Sequence, residues 1–297
     1  MEQFFQLTLL GLLVGMIYAL IAMGLVLIFR CSGVLNFAQG YFALVGAMLV
    51  WAFASQLGLP VWAVFILSLG GAALLGLVLE RLTIRPLIGQ PIFAIIAMTL
   101  GLGVVLEAVV TFIWGSEGRG YPENILLPAG TVHVGDIGLP QLQIYALVIA
   151  AAVFGGLMVY LTRSKSGLAM QAIADDTEAA ESLGISVRSI LSIAWVLSAV
   201  VAMIGGYLLG SIIGVEIAGL PQFGLKAIAV MIIGGLESLT GCLIAGPFVG
   251  FCEYMASGYL DPLVGGGLKD VFPYVILVIV LIIRPYGFLG WKRIERV

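Results

Sequence analysis

The sequence predicts an all-α polytopic membrane protein of eight or nine transmembrane helices, with its N-terminus outside and its C-terminus in the cytoplasm. Three observations carry this reading. Of 297 residues, 62% are hydrophobic and only 10% are charged, against roughly 25% charged in a soluble domain. Too few polar side chains exist to coat a water-soluble globule. Apolar runs long enough to cross ~30 Å of hydrocarbon, at about 1.5 Å per residue, recur along the chain. Glycine is abundant, with 40 residues, which suits helices whose backbones approach closely in lipid. Soluble enzymes, disordered tails and disulfide scaffolds are excluded.

In chain order the apolar stretches are 5–29, 41–57, 61–80, 92–114, 142–162, 189–213, a broken stretch over 226–257, and 271–284. Each is bounded by charge, proline or a glycine cluster. The first follows Met1-Glu2-Gln3 rather than a basic segment and is too long for the apolar core of a signal peptide. It is expected to be a retained helix. The broken stretch is expected to cross twice, as 226–236 and 240–257, with Glu237, Ser238 and Leu239 at the inner turn. Its first half is short, which leaves eight or nine crossings open.

Orientation follows from Lys and Arg. With the N-terminus outside, Arg30, Arg81, Arg85, Arg163, Lys165, Arg188, Arg284, Lys292, Arg293 and Arg296 fall in the cytoplasm. Only Arg119, Lys226 and Lys269 fall outside. Residues 1–297 thus read as one transmembrane domain with an external loop over 115–141 and a cytoplasmic loop over 163–188. The external loop alternates at Thr131-Val132-His133-Val134, as a short hairpin would. No basic tract offers a nucleic-acid surface. Cys31, Cys242 and Cys252 are scattered and odd in number, so they read as packing residues rather than a disulfide or metal framework. His133 has no second ligand in view.

The cytoplasmic loop is distinctive. Asp175 and Glu178 suit the acidic start of a short helix. Ala179, Ala180 and Leu183 would share one face, and Gly184 would stop it. A helix so short is marginal alone, so it must pack on its own bundle or on a partner.

The run Glu178-Ala179-Ala180-x-x-x-Gly184 resembles the loop of ABC importer permeases. The fuller stretch Ala174-Asp175-Asp176-x-x-Ala179-Ala180-x-x-Leu183-Gly184-Ile185 resembles the version in branched-chain amino acid permeases. Gly15-x-x-Tyr18-Ala19-Leu20-Ile21-Ala22-x-Gly24-Leu25 and Val34-Leu35-Asn36-Phe37-Ala38-Gln39-Gly40 resemble that family's N-terminal half. Ile233-Gly234-Gly235-Leu236-x-Ser238 and Arg284-Pro285-x-Gly287 resemble its C-terminal half. The chain's length is similar to that of the shorter of the family's two permease subunits. Gln39 stands where the family often has His, and Asp176 where Glu is common.

This resemblance implies a permease of a bacterial or archaeal plasma membrane, importing branched-chain or other small hydrophobic amino acids. Urea, short amides and aromatic acids are solutes of related permeases. It implies a second, similar permease in a heterodimer, two cytoplasmic ATP-binding subunits and an extracytoplasmic solute-binding protein. Residues 174–185 would be the coupling helix. No Gly-x-x-x-x-Gly-Lys-Ser/Thr occurs, so ATP and Mg would be used by partner subunits, with no cofactor in this chain and no enzyme activity of its own.

Broken helices at membrane depth expose backbone that must line a cavity or be buried in protein. Two interruptions exist, from Arg30 to Gly40 and from Gly224 to Pro247. Asn36, Gln39, Ser238 and Thr240 there are uncharged hydrogen-bonding groups suited to a polar pathway, or to pairing between helices. Glu253 reads as a gate or an interhelix partner, Glu107 as a side chain that snorkels or pairs with Arg119, and Lys226 as a cation exposed at the outer face, placed to meet a binding protein or an anionic solute. Arg81 and Arg85 read as topology anchors, and Trp114 and Trp291 as interface anchors. A free-standing channel or gradient-driven transporter, with Glu107 or Glu253 carrying a proton, is the reading of another class. Gly11/Gly15, Gly206/Gly210/Gly214 and Gly246/Gly250 repeat every four residues, placing each set on one helix face for close packing.

Overall fold

A computed structural model describes residues 2–87, 89–128, 130–134 and 137–290. Trp291, Lys292, Arg293 and Arg296 lie outside the described residues, as does the side chain of His133. The elements are α1 (Glu2–Ser32), α2 (Gln39–Trp51), α3 (Val61–Leu79), α4 (Ile92–Trp114), β1 (Thr131–Val134), β2 (Ile137–Pro140), α5 (Gln141–Arg163), α6 (Lys165–Asp175), α7 (Thr177–Ser182), α8 (Val187–Ile213), α9 (Leu220–Gly234), α10 (Leu239–Tyr259), α11 (Asp261–Val264) and α12 (Leu268–Ile283). Single π-helical turns extend α2 over Ala52–Gln56 and α3 over Glu80–Ile84.

Among the described residues, six helices are long and apolar enough to cross a membrane: α1, α3 with its extension, α4, α5, α8 and α10. The chain is an all-α polytopic membrane protein. α2, α9 and α12 are shorter, at 13, 15 and 16 residues. β1 and β2 form the expected antiparallel hairpin, with Thr131 opposite Pro140. The hairpin marks one end of the bundle. The loop between α5 and α8, carrying α6 and α7, marks the other.

α1 is the central post. Every residue from Ile17 to Met23 and from Leu25 to Ile28 is at most 1% exposed. Its contact with α10 explains the glycine spacing. A Cβ on Gly11 would lie 2.6 Å from the Gly250 carbonyl oxygen, and one on Gly246 would lie 2.5 Å from that of Gly15. Only glycine permits two backbones to touch in this way. On another side, Gly206 of α8 lies against the Ala43 backbone of α2. α3, α4 and α5 form the rim, and large apolar side chains such as Phe93 (80% exposed) and Phe112 (93% exposed) face outward.

Both interruptions are built by glycine. α1 ends at Gly33 (φ 68°), and the chain turns back so that Gln39, the first residue of α2, lies beside Gly24. The broken stretch splits at Gly235 (φ 110°) into α9 and α10. The two places touch, because a Cβ on Gly224 would meet the backbone of Gly40. A helix end buried in protein leaves carbonyls without partners. At the end of α9 they are met from far away in the chain. Phe288 N–H donates to Ile233 O at 2.7 Å, and Leu289 N–H to Gly234 O at 3.0 Å. The Ile233-Gly234-Gly235-Leu236 and Arg284-Pro285-x-Gly287 motifs therefore meet at one junction.

Candidate functional site

A cavity of about 980 Å³ opens among the elements of the loop end. Residues 28–36 form one wall, and Gln90 and Thr99 another. Ile173, Ala174 and Thr177 of the loop helices, Trp195 of α8, Glu237 and Tyr286 complete it. The interrupted segment after α1 and the loop carrying α6 and α7 thus border the same space.

Of the polar residues expected in a pathway, Asn36 alone is part of this wall. Its side chain is spent locally: Oδ1 accepts from Ala38 N–H at 3.0 Å, and Nδ2 donates to Gln39 Oε1 at 3.2 Å. Gln39 is fully buried, takes a 2.9 Å bond from the Ser198 hydroxyl and donates to Ser198 O at 3.4 Å. The pair fastens the start of α2 to α8. Ser238 caps α10, its hydroxyl accepting from Gly241 N–H at 2.9 Å and lying 3.3 Å from Thr240 Oγ1. Thr240 is exposed. Neither these two residues nor Glu253 borders the cavity.

Glu253 belongs to a charged cluster toward the hairpin end. Lys226 Nζ lies 3.0 Å from Glu253 Oε1 and 3.0 Å from Asp270 Oδ1, and the Tyr18 hydroxyl donates to Glu253 Oε1 at 3.3 Å. This corrects the expectation that Lys226 is exposed at the outer face. It is 3% exposed, because α1, α10 and α12 close around it and two carboxylates offset its charge. Glu253 Oε2 is buried with no hydrogen-bond partner among the described residues.

A second cluster lies near the loop end. Glu80, fully buried on the π-helical turn, is held by Arg85 through Nε–Oε1 at 3.1 Å and Nη2–Oε2 at 3.2 Å. The Ser192 hydroxyl adds a 2.8 Å bond to Oε2. Arg85 is therefore an interhelix clamp rather than a simple anchor. No sequence spacing pointed to it, since the extra residue of the π turn brings positions five apart together. Glu107 lies beside Tyr41 and makes no ion pair with Arg119. Arg119 instead stacks on the Trp51 ring at 4.6 Å and donates to Trp114 O at 2.7 Å.

The loop helices refine the reading of residues 174–185. Asp176, not Asp175, caps α7, and its Oδ1 accepts from Ala179 N–H at 2.9 Å. Asp175 closes α6 instead, because Asp176 has the extended backbone a cap requires. Gly184 (φ 83°) stops α7 as expected. It donates to Glu181 O while Ile185 N–H reaches back to Ala180 O, a Schellman motif. The shared apolar face is not present: Ala180 is 2% exposed, whereas Ala179 and Glu178 are exposed and Leu183 is 83% exposed. α7 packs on α6 and α8 through Ala180, while Leu183, its C-cap residue, is turned away from both. Leu183 is left standing at the tip.

The family model for the branched-chain amino acid transport system / permease component matches residues 7–281. That span takes in nearly all of the central post, both interruptions, the loop helices and most of the cavity wall. The chain belongs to this permease family. The high-affinity branched-chain amino acid transport system permease protein BraD of Pseudomonas aeruginosa is 29% identical, over 97% of this chain and 96% of BraD. LivH of Escherichia coli K12, of the same description, is 27% identical over 97% and 96%. A probable branched-chain amino acid transport permease of Methanocaldococcus jannaschii is 27% identical over 93% and 90%. The permease is thus a transport protein, not an enzyme, and its family works with partner subunits.

Proposed function

We propose that this permease is a transmembrane subunit of an ATP-driven importer for branched-chain amino acids in a bacterial or archaeal inner membrane. It forms half of the translocation pathway. A similar second permease forms the other half, an extracytoplasmic binding protein delivers the solute, and two cytoplasmic ATPases bind and hydrolyse ATP with Mg. The match to permeases of this description across nearly the whole chain carries the reading.

In this reading the loop end is cytoplasmic and the hairpin end external, in keeping with Arg30, Arg81, Arg85, Arg163, Lys165 and Arg188 near the loop end. Residues 174–185 are the coupling element. Leu183 and Glu178 project from α7, where a cleft of an ATPase can receive an apolar anchor beside a charge. The base of the same loop borders the cavity at Ile173, Ala174 and Thr177. Movement of the ATPases thus reaches the pathway walls over a short path. Alternating access then requires only that the ATP-bound partners favour one arrangement of the bundle.

Uptake of L-leucine into proteoliposomes is the test, using the permease together with the subunits that co-purify with it. ATP-dependent uptake that Glu178→Lys lowers at least about tenfold, a loss of roughly 1.4 kcal/mol of coupling, with unchanged membrane insertion, is expected. Uptake driven by an ion gradient without any ATPase would overturn the reading.

A further inference from the structure

α4 turns two different faces outward. Val105, Val109, Phe112 and Ile113 are all exposed and form a bulky apolar face that suits lipid. Further round the helix, Ala97, Gly101, Val104, Ala108 and Thr111 form a second exposed face of short side chains, spaced by turns of four and three residues. A Cβ on Gly101 would meet no atom within 4 Å, so the backbone itself is open there. Short side chains alone do not distinguish a protein neighbour from lipid. The residue beside them does.

Glu107 lies at the edge of this face, one turn from both Val104 and Thr111. It stands seven residues before the end of α4 at Trp114, about 10 Å below that end at 1.5 Å per residue. Helix side chains lean toward the N-terminus. α4 runs from the loop end to the hairpin end, so the carboxylate leans toward the middle of the membrane and away from the nearer surface. It is partly exposed and makes no ion pair among the described residues. The Tyr41 side chain lies against it, packed on Gly103, where a Cβ would sit 2.5 Å from Tyr41 Cε2. One phenol does not offset a charge. A carboxylate open to hydrocarbon is expensive, and such groups face protein or water and pair with a cation.

This chain has no cation to offer at that depth. Of the basic residues toward the hairpin end, Arg119 is stacked on Trp51 and Lys226 is buried between Glu253 and Asp270. Lys269 lies 4.6 Å from the Tyr254 ring. A second copy docked on this face therefore brings no free Lys or Arg among the described residues, and a symmetric contact between two α4 helices would set two carboxylates together. The missing charge belongs to a different chain.

We propose that the face of α4 from Ala97 to Thr111 seats a helix of the second permease, and that a Lys or Arg on that helix pairs with Glu107. The inference rests on the importer reading for the existence of the second permease, and on the uncompensated carboxylate for its chemistry.

The experiment uses the complete importer in proteoliposomes, with p-benzoylphenylalanine in place of Ala108 or of the adjacent Val109. Ultraviolet light is expected to join position 108 to the second permease, at a residue within one helical turn of a Lys or Arg, and position 109 to lipid. In detergent, Glu107→Gln lowers the second permease retained with this chain roughly tenfold, as the loss of one partner of a buried ion pair does. Glu107→Asp keeps part of it. Glu107→Lys removes it, and exchanging the located Lys or Arg for Glu restores it, which a merely misfolded variant would not allow. Cross-linking of position 108 to lipid alone or to a second copy overturns the proposal. So does a Glu107→Lys complex that stays intact, or one that the reciprocal exchange fails to rescue.

The two readings fail separately. A second permease that co-purifies but joins position 108 nowhere removes this seat and leaves the importer. A transport-active complex with no second permease removes that subunit from the importer reading, and this seat with it.

Discussion

The two buried charge clusters use the same chemistry to opposite structural ends. Glu80 and Arg85 are five residues apart, and both carboxylate oxygens are taken, by the guanidinium fork and by Ser192. That cluster is neutral and fixes one turn to one neighbouring helix. Lys226, Glu253 and Asp270 come from three helices and are joined by Tyr18 from a fourth. Together they carry one net negative charge and leave Glu253 Oε2 without a donor. A closed, local pair secures a bend. An open, long-range cluster sets how whole helices sit against one another, and it is costly to disturb.

Lys226→Met should show the difference most strongly. It leaves Glu253 fully buried without its cation, with only the Tyr18 hydroxyl as a partner, which costs about 3–5 kcal/mol. Unfolding of the detergent-solubilised protein by sodium dodecyl sulfate would measure it. The double variant Lys226→Met with Glu253→Gln should recover most of the loss, because the stranded charge is gone. A double variant as unstable as the single one would mean that shape rather than charge dominates there.

Glu80→Gln should cost less, about 1–2 kcal/mol, because Arg85 is 36% exposed and regains water when released. The same unfolding assay reads it. A loss as large as that of Lys226→Met would erase the contrast between the clusters. Asp270→Asn should cost the least, about 0–1 kcal/mol, since its side chain is 68% exposed. Its effect should fade in ~1 M salt, where screening acts within about 3 Å. A salt-independent loss would show that Asp270 acts as part of the buried core.

The same contrast separates what the sequence made legible from what it hid. Features set by neighbours in the chain were readable. The apolar stretches became helices with ends near their expected limits, and Gly184 stopped α7. The Gly11/Gly15 and Gly246/Gly250 repeats proved to be the two halves of one backbone contact. Features set by distant residues were not. Lys226 read as an exposed cation because its partners lie 27 and 44 residues further on. Arg85 read as an anchor because a regular helix would not bring it onto Glu80. Between adjacent acids, pattern alone could not choose the cap of α7, since the choice depends on where α6 ends. Gln39 read as either a pathway residue or an interhelix partner, because nothing local reveals Ser198 beside it.

The junction at the end of α9 has a consequence for the time at which this protein can finish folding. The carbonyls of Ile233 and Gly234 are met by amides of Phe288 and Leu289, which the ribosome makes about 55 residues later. At roughly 5–20 residues per second, that is an interval of several seconds. During it the short helix has no backbone cap from that segment, and α10 and α12 are still being made. The end of α9 can therefore be capped only after α12 has emerged, so its seat against α1 is completed from the chain's far end.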